Sequence, residues 1–293
     1  MVREPMSIRR AIRDAEGRLR RKGLLSPGLD AEILLSFCLG MDRTGLLREG
    51  DRPVAPGEMQ TFNDLLERRL RGEPVAYIVG RREFWSLDLK VSPAVLVPRP
   101  ETEILVQAVL ETARRSGTSA PRILEIGTGS GAVSVALARE LISARIFATD
   151  LSPEALRVAR ENAAVHGVAD RIFFIACNLL EPFSGSFDMI ASNPPYLSEA
   201  EYEGLPVEIR DYEPKGALLA GPGGTEFHRA IIRHAGAHLR EGGWLFLEIG
   251  FGQKDPVRAL LDQAGHFDSV LFTGDYAGID RVVTARRRMK KGG

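Results

Sequence analysis

The chain has 293 residues, and 39 Lys plus Arg balance 39 Asp plus Glu, so its formal net charge is zero. That length allows one large domain or two around a sizeable core, while zero net charge gives no electrostatic case for sequence-independent nucleic-acid binding, which relies on a basic surface. The two cysteines, Cys38 and Cys177, lie far apart in apolar contexts; they read as buried free thiols of a reducing compartment and argue against a structural zinc site.

No apolar run approaches the length of a membrane span. The Arg-rich N-terminus lacks the apolar core of a secretory signal, and Glu4, Asp14 and Glu16 argue against a transit peptide, so a cytoplasmic location is expected. The basic tail, Arg286 to Lys291, reads as a frayed, solvated end.

Residues 1–75 predict a small helical bundle. Ile8, Ala11, Ile12, Ala15 and Leu19 recur at helical spacing, with Ser7 as N-cap and Gly23 as stop. A second helix follows Pro27 and ends near Gly40, and a third runs from Pro56 to Arg71. Each has one apolar stripe, so they must pack on one another. Their arginines read as solvated, and a role in recognising a partner protein is the expectation for the bundle.

Residues 76–100 predict a β-hairpin linker, with strand-forming residues at Tyr77–Val79 and Phe84–Val91 around Gly80-Arg81-Arg82. Val97-Pro98-Arg99-Pro100-Glu101-Thr102-Glu103 then leads into a helix. Arg99 is either a holder of a substrate or cofactor group at a helix start or an exposed linker arginine.

Residues 101–293 alternate strand and helix. Strands are predicted at Ile123–Ile126, Arg145–Thr149, Ile172–Ala176, Phe187–Ala191 and Trp244–Ile249, with helices between most of them. Such alternation means a parallel sheet with helices on both faces, an α/β Rossmann-like fold. The last two strands, Asp268–Thr273 and Arg281–Ala285, have no helix between them and must pair as an antiparallel hairpin.

Two turns carry the chemistry. Gly127-Thr128-Gly129-Ser130-Gly131 lies between the first strand and its helix. Gly127, Gly129 and Ala132 match a dinucleotide-binding pattern, with Asp150 about twenty residues on, where an acid grips ribose hydroxyls. The same residues, with Glu125 two positions before the first glycine, also match a turn that holds S-adenosylmethionine. The second turn, Asn193-Pro194-Pro195-Tyr196, follows the fourth strand. Two prolines cannot continue a ladder, so the chain becomes a stiff corner that presents an amide, proline carbonyls and an aromatic face. Such a corner can hold a small planar amide or amino group. Asn178, after the third strand, can bond an adenine amino group or its own backbone. The long acidic stretch Leu197–Gly224 is expected to form a second wall.

With these motifs assembled, the chain resembles class I methyltransferases, and more narrowly the glutamine-N5 protein methyltransferases of peptide chain release factors, the PrmC/HemK family. The resemblance runs through Pro74–Gly80, Glu83-Phe84-Trp85, Val97–Glu103, Gly127–Gly131, Asn193–Tyr196, Glu213-Pro214, Glu248-Ile249-Gly250 and Gly278–Arg281. It departs at Asn178, where the family often carries Asp. It implies methylation of the glutamine amide in a Gly-Gly-Gln loop, with S-adenosylmethionine as donor. It further implies catalytic Asn193, Pro194 and Tyr196, and substrate contacts from these with Pro195, Arg99 and Glu101. Cofactor contacts are implied for Glu125, Gly127, Thr128, Gly129, Ser130, Gly131, Asp150, Leu151, Asn178, Leu179 and Asn193. No metal site is implied. Two other functions remain open: an adenine-N6 nucleic-acid methyltransferase, which would flip its base into such a corner, and a non-catalytic Rossmann-type sensor of S-adenosylmethionine or NAD.

Overall fold

The computed structural model describes residues 6–289, and its contacts divide the chain into two compact units. The first comprises the chain up to Gly80 together with Val207–Tyr212; the second comprises Arg81–Pro206 and the chain from Glu213.

The first unit is helical. Helix α1 (Ile8–Arg21) starts where the Ser7 side chain accepts the Arg10 N–H, and α2 (Pro27–Leu39) stops at the left-handed Gly40. Helix α3 (Arg43–Arg48) is capped by the Asp42 carboxylate, which accepts the Gly45 N–H at 2.6 Å. Helix α4 (Pro56–Leu70) begins with Glu58 reaching back to accept the Ala55 N–H at 2.8 Å. Their apolar stripes meet in a core of Ile8, Leu19, Leu34, Leu35, Phe62 and Leu66. Val75–Val79 forms a fifth short helix, α5, and not the first arm of a hairpin. The segment has strand-type residues, but Pro74 caps its start and left-handed Gly80 its end, and Tyr77 and Ile78 are buried.

The second unit opens with a hairpin shifted along the chain: β1 (Arg81–Phe84) pairs antiparallel with β2 (Leu87–Lys90). Its two turn residues, Trp85 and Ser86, both have positive φ, the twist that suits a two-residue connection. Then follow α6 (Thr102–Ser116), β3 (Arg122–Ile126), α7 (Ala132–Glu140), β4 (Arg145–Asp150), α8 (Pro153–Val165), β5 (Ile172–Ala176) and β6 (Phe187–Ser192). The long connection is not bare loop: it contains β7 (Leu197–Ser198), α9 (Glu199–Glu203), α10 (Val207–Arg210, part of the first unit) and β8 (Leu219–Gly221). The chain ends with α11 (Glu226–His238), β9 (Leu239–Glu248), α12 (Lys254–Ala264), β10 (Phe267–Gly274) and β11 (Asp280–Arg287).

Seven strands form one sheet in the order β10-β11-β9-β6-β3-β4-β5. The pairs from β9 to β5 are parallel, and β11 runs antiparallel to both β9 and β10. Alternate residues feed two cores. Ile123, Met189 and Ala191 meet α6 and α7 on one face, whereas Leu124, Ile190 and Leu245 meet α11 and α12 on the other. The basic tail is ordered further than composition suggests. Arg287 donates to the Leu239 carbonyl and Arg288 to the Phe267 carbonyl, while positions 290 and 291 lie outside the described residues. Among the described residues no helix is long and apolar enough to cross a membrane.

One arginine of the first unit departs from the solvated reading. Arg69 is buried and forms ion pairs with Asp30 at 2.7 Å and with Glu208 of α10 at 2.5 Å. Burial raises the Asp30 pKa more than Arg69 lowers it. Both cysteines are free thiols and only half-buried, not fully buried as their contexts suggested.

Candidate active site

The parallel register places the two turns side by side. Ile126 of β3 is opposite Ser192 of β6, so the glycine turn and the Asn-Pro-Pro corner leave adjacent strands at the same sheet edge. The Ser192 hydroxyl donates to the Ile126 carbonyl at 2.8 Å and ties the two strand ends together. Strands β4 and β5 end at the same edge, bringing Asp150 and the segment after Ala176 alongside. This is the edge at which open α/β sheets bind ligands. A cavity of about 350 Å³ opens there, lined by both turns and by Arg99, Asp150, Leu151, Asn178 and Leu179.

The glycine turn is shaped from within. Gly127 and Gly129 have positive φ, and a Cβ on either would meet nothing of the chain within 4 Å, so the backbone is bare on the side where a ligand can approach. Asp150 steadies it: one carboxylate oxygen accepts the Gly129 N–H at 2.8 Å and the other the Ser152 N–H at 2.9 Å. Asn162 steadies it from beneath, donating to the Ser130 carbonyl at 2.8 Å and to the Lys90 carbonyl at 3.0 Å, and so joins hairpin and turn.

Glu125 lines the cavity but is buried, and one oxygen accepts from the Thr128 hydroxyl at 2.7 Å and from Ser134. Burial pushes its pKa up to about 7 against those hydrogen bonds. Its visible work is to hold the turn against the first turn of α7. Leu151 is 74% exposed at the cavity rim. Leu179, also lining the cavity, has φ 50, a left-handed conformation that a bulky side chain rarely adopts. The Asn178 side chain donates to Glu181 at 2.8 Å, so its Oδ1 remains the atom suited to accept from an amino group.

Asn193, Pro194 and Pro195 line the cavity; Tyr196 and Glu101 are not among its lining residues. Asn193 donates from Nδ2 to the Thr102 hydroxyl at 3.0 Å. The Tyr196 carbonyl accepts from Gln253 Nε2 at 2.8 Å, and its ring stands against Gly250, where a Cβ would come 3.0 Å from Cδ2. Burial, then the nearby Glu248, raise the Tyr196 pKa to about 12, so the phenol stays protonated. Arg99 is not an unpaired anion holder: Glu213 accepts from its guanidinium at 2.6 Å and from the Val97 N–H at 3.0 Å. Glu101 precedes α6 and lines a separate groove instead.

Thr102, Asn162, Glu213, Glu248 and Gln253 are structural members of this site to which residue patterns assigned no individual role. The available signal was a charged residue at Glu248 inside the apolar run Trp244–Ile249, since a charge is seldom buried without a specific task. Thr102 and Glu213 lie within the Val97–Glu103 and Glu213-Pro214 stretches that carry the resemblance, and no comparable local signal marks Asn162 and Gln253.

Family comparisons agree with this architecture. Residues 10–80 match the PrmC N-terminal domain, and residues 100–206 match the methyltransferase small domain. The release factor glutamine methyltransferase of Bradyrhizobium diazoefficiens is 44% identical over 282 residues, which cover 96% of this chain and 95% of that protein. The release factor glutamine methyltransferase of Geobacter sulfurreducens is 41% identical, covering 97% of this chain and 98% of its own. Among solved structures, a methyltransferase from Pyrococcus furiosus overlays with a TM-score of 0.51 at 21% identity, covering 78% of this chain and 100% of its own, a likeness of fold.

Proposed function

Because the chain belongs to the release factor glutamine methyltransferase family, we propose that its cavity receives the glutamine of a release factor's Gly-Gly-Gln loop, with Asn193 holding the side-chain amide. The protein is an S-adenosylmethionine-dependent protein-(glutamine-N5) methyltransferase. The observation that supports these residue roles is the Ile126–Ser192 register, with both turns lining one cavity.

The residues fit the methyl donor. Gly127 and Gly129 offer bare backbone, Asp150 an acid at the end of β4, and Leu151 and Leu179 apolar surface for a planar base. Asn178 Oδ1 is an acceptor for an amino group. When bound, S-adenosylmethionine supplies a methyl group made electrophilic by the sulfonium charge.

The rest is the work of the corner. An amide nitrogen is a poor nucleophile because its lone pair is shared with the carbonyl. Asn193 Oδ1 and the Pro194 carbonyl accept its two N–H bonds, which fixes the nitrogen's direction and localises electron density on it. Alignment of this kind is a large part of catalysis when the nucleophile is weak. Pro195 stiffens the corner, and Tyr196, whose ring stands against Gly250 and whose carbonyl is held by Gln253, anchors it from outside the cavity lining. No strong base is required, since the nitrogen loses its proton after gaining the methyl group. With Arg99 and Glu213 paired, their part is to shape the wall near the corner, and Glu101 helps set the start of α6.

The helical first unit contacts a different part of the release factor, because a short flexible loop offers little specificity by itself. A cytoplasmic location, alongside translation termination, belongs to the same proposal. The test is incubation of the purified protein with S-adenosylmethionine and a bacterial release factor, followed by mass spectrometry of the tryptic peptides. One added methyl group on the Gly-Gly-Gln glutamine is expected. Transfer to adenine in nucleic acid, or cofactor binding without transfer, contradicts it.

A further inference from the structure

The sheet is unevenly covered at its antiparallel edge. On one face α12 packs against β10, where Val270 and Phe272 join the core. On the other face α6 covers β9 and β11, and Leu271 of β10 is left 62% exposed. Between α6 and the β10–β11 hairpin runs a groove of about 1520 Å³, against about 350 Å³ for the catalytic cavity. An antiparallel edge can face water when its outward side chains are polar. Here Leu271, Tyr276 and Met289 stand exposed along the groove, and the two tryptophans of the chain, Trp85 and Trp244, both line it. The Arg286 guanidinium lies 5.7 Å from the centre of the Trp244 ring. Trp, Tyr, Met and Arg are the residues that concentrate where one protein binds another.

Tyr276 is the clearest case. It sits fully exposed at the tip of the hairpin, on a turn that is tightly held. Asp275 fixes that turn: one carboxylate oxygen accepts the Ala277 N–H at 2.9 Å and the Ile279 N–H at 3.0 Å, and the other accepts from Arg281 Nε at 2.8 Å. An aromatic ring displayed to water on a rigid turn contributes nothing to the fold, and its apolar face is available to a partner. We propose that this groove is a docking surface for the release factor, taking a basic, extended segment of the substrate next to its glutamine-bearing loop, a proposal that rests on the function given above.

The groove begins where the site ends. Arg99 and Thr102 line the catalytic cavity, and the two residues between them, Pro100 and Glu101, line the groove. One face of α6 then carries it away from the corner through Ile104, Ala108, Glu111 and Arg115. Helix α6 has 15 residues, about 22 Å of axis, a length that roughly seven extended residues span. A glutamine seated in the cavity belongs to a chain that must leave it, and the groove offers that chain a path. Charge indicates what the path accepts. Six carboxylates and three guanidinium groups line the groove, and two of those three are already paired within it, Arg115 with Glu111 at 3.9 Å and Arg240 with Asp188 at 2.7 Å. The surplus is negative, which favours Lys and Arg in the docked segment and repels a phosphate backbone.

The test uses the full-length protein and a fluorescently labelled bacterial release factor. Anisotropy in the presence of S-adenosylhomocysteine reads binding, and mass spectrometry with S-adenosylmethionine reads turnover. Tyr276→Ala should weaken binding by about tenfold and Leu271→Ser by about threefold, the range over which interface side chains act. Glu111→Lys should weaken it by about threefold at low salt and by less at high salt. The KM for the release factor should rise by the same factors, while kcat and the KM for S-adenosylmethionine stay within about twofold of wild type. Ile142→Ser, at an exposed apolar residue outside the groove, should change neither readout. Wild-type affinity in both Tyr276→Ala and Leu271→Ser overturns the docking surface, and leaves the proposed function standing if the glutamine is still methylated. A wild-type protein that binds the release factor through Tyr276 but methylates no glutamine overturns that function and keeps the docking surface. A wild-type dimer that Tyr276→Ala abolishes would assign the groove to a second copy of the chain and overturn the proposal.

Discussion

Replacing Asp150 with alanine separates cofactor binding from the rest of the site. The Asp150 carboxylate receives the Gly129 N–H at 2.8 Å and the Ser152 N–H at 2.9 Å, and it lines the cavity. Hydrogen bonds to a charged group contribute about 1.5–3 kcal/mol each. The residue is half-buried, so water replaces part of what is lost at the two backbone donors. Loosening of the glycine turn should then cost on the order of 1–2 kcal/mol, and loss of the acceptor for a ribose hydroxyl roughly as much again. The sum, about 2–4 kcal/mol, is a 30- to 1000-fold weaker affinity for S-adenosylmethionine. Asp150→Asn should fall between, because its NH2 would face one of the two N–H groups. Isothermal titration calorimetry measures this directly, with thermal melting to establish folding. An alanine variant that binds within about threefold of wild type would refute the argument that this carboxylate holds both the turn and the ligand.

Two further outcomes concern stability. Arg69→Met strands the buried Asp30 and should destabilise the protein by about 3–5 kcal/mol in chemical denaturation. Adding Asp30→Asn should restore much of that loss, and a single variant as stable as wild type would show that the ion pair contributes nothing. Glu125 holds its proton up to about pH 7 when folded, against a reference of 4.5 when exposed. The folded state therefore binds more protons between those values, and stability falls as pH rises through the window and levels off above it. The cost at pH 8 is on the order of 3 kcal/mol. Glu125→Gln can still accept from Thr128 and Ser134, so it should be more stable than wild type at pH 8 and show a shallower slope. The slope should not vanish, because Glu248 also titrates near 7. Denaturation midpoints across the range measure this, and an unchanged slope in Glu125→Gln is the contrary result.

The parts of this protein that impose themselves on the backbone were legible in the chain. Glycines at 127, 129 and 131 open left-handed backbone that other residues avoid, and prolines at 194 and 195 remove ladder donors, so both turns and their place after strands could be read directly. Tyr77–Val79 was misread because the strand tendency of its residues competes with a proline before it and a left-handed glycine after it, and the caps prevailed. The acidic stretch after Tyr196 looked like open wall. Yet Glu213 serves Arg99 and Val97, and Glu208 serves Arg69, partners more than a hundred residues away. The hydrogen bond from Asn193 to Thr102 was illegible for the same reason: the two residues lie 91 positions apart, and only the fold brings them together. Periodicity reports which face is buried; it carries no information about which distant groups share that face.

The central claim is that Asn193 orients the substrate amide and does little for the cofactor. It is tested most directly by measuring S-adenosylmethionine affinity and release-factor methylation on the same preparation of Asn193→Ala. Asn193→Ala should keep an affinity within about threefold of wild type and methylate more slowly by roughly a hundredfold or more, the scale on which removal of one oriented polar group acts. Near-normal methylation, or a loss of cofactor binding that accounts for the whole effect, would contradict it.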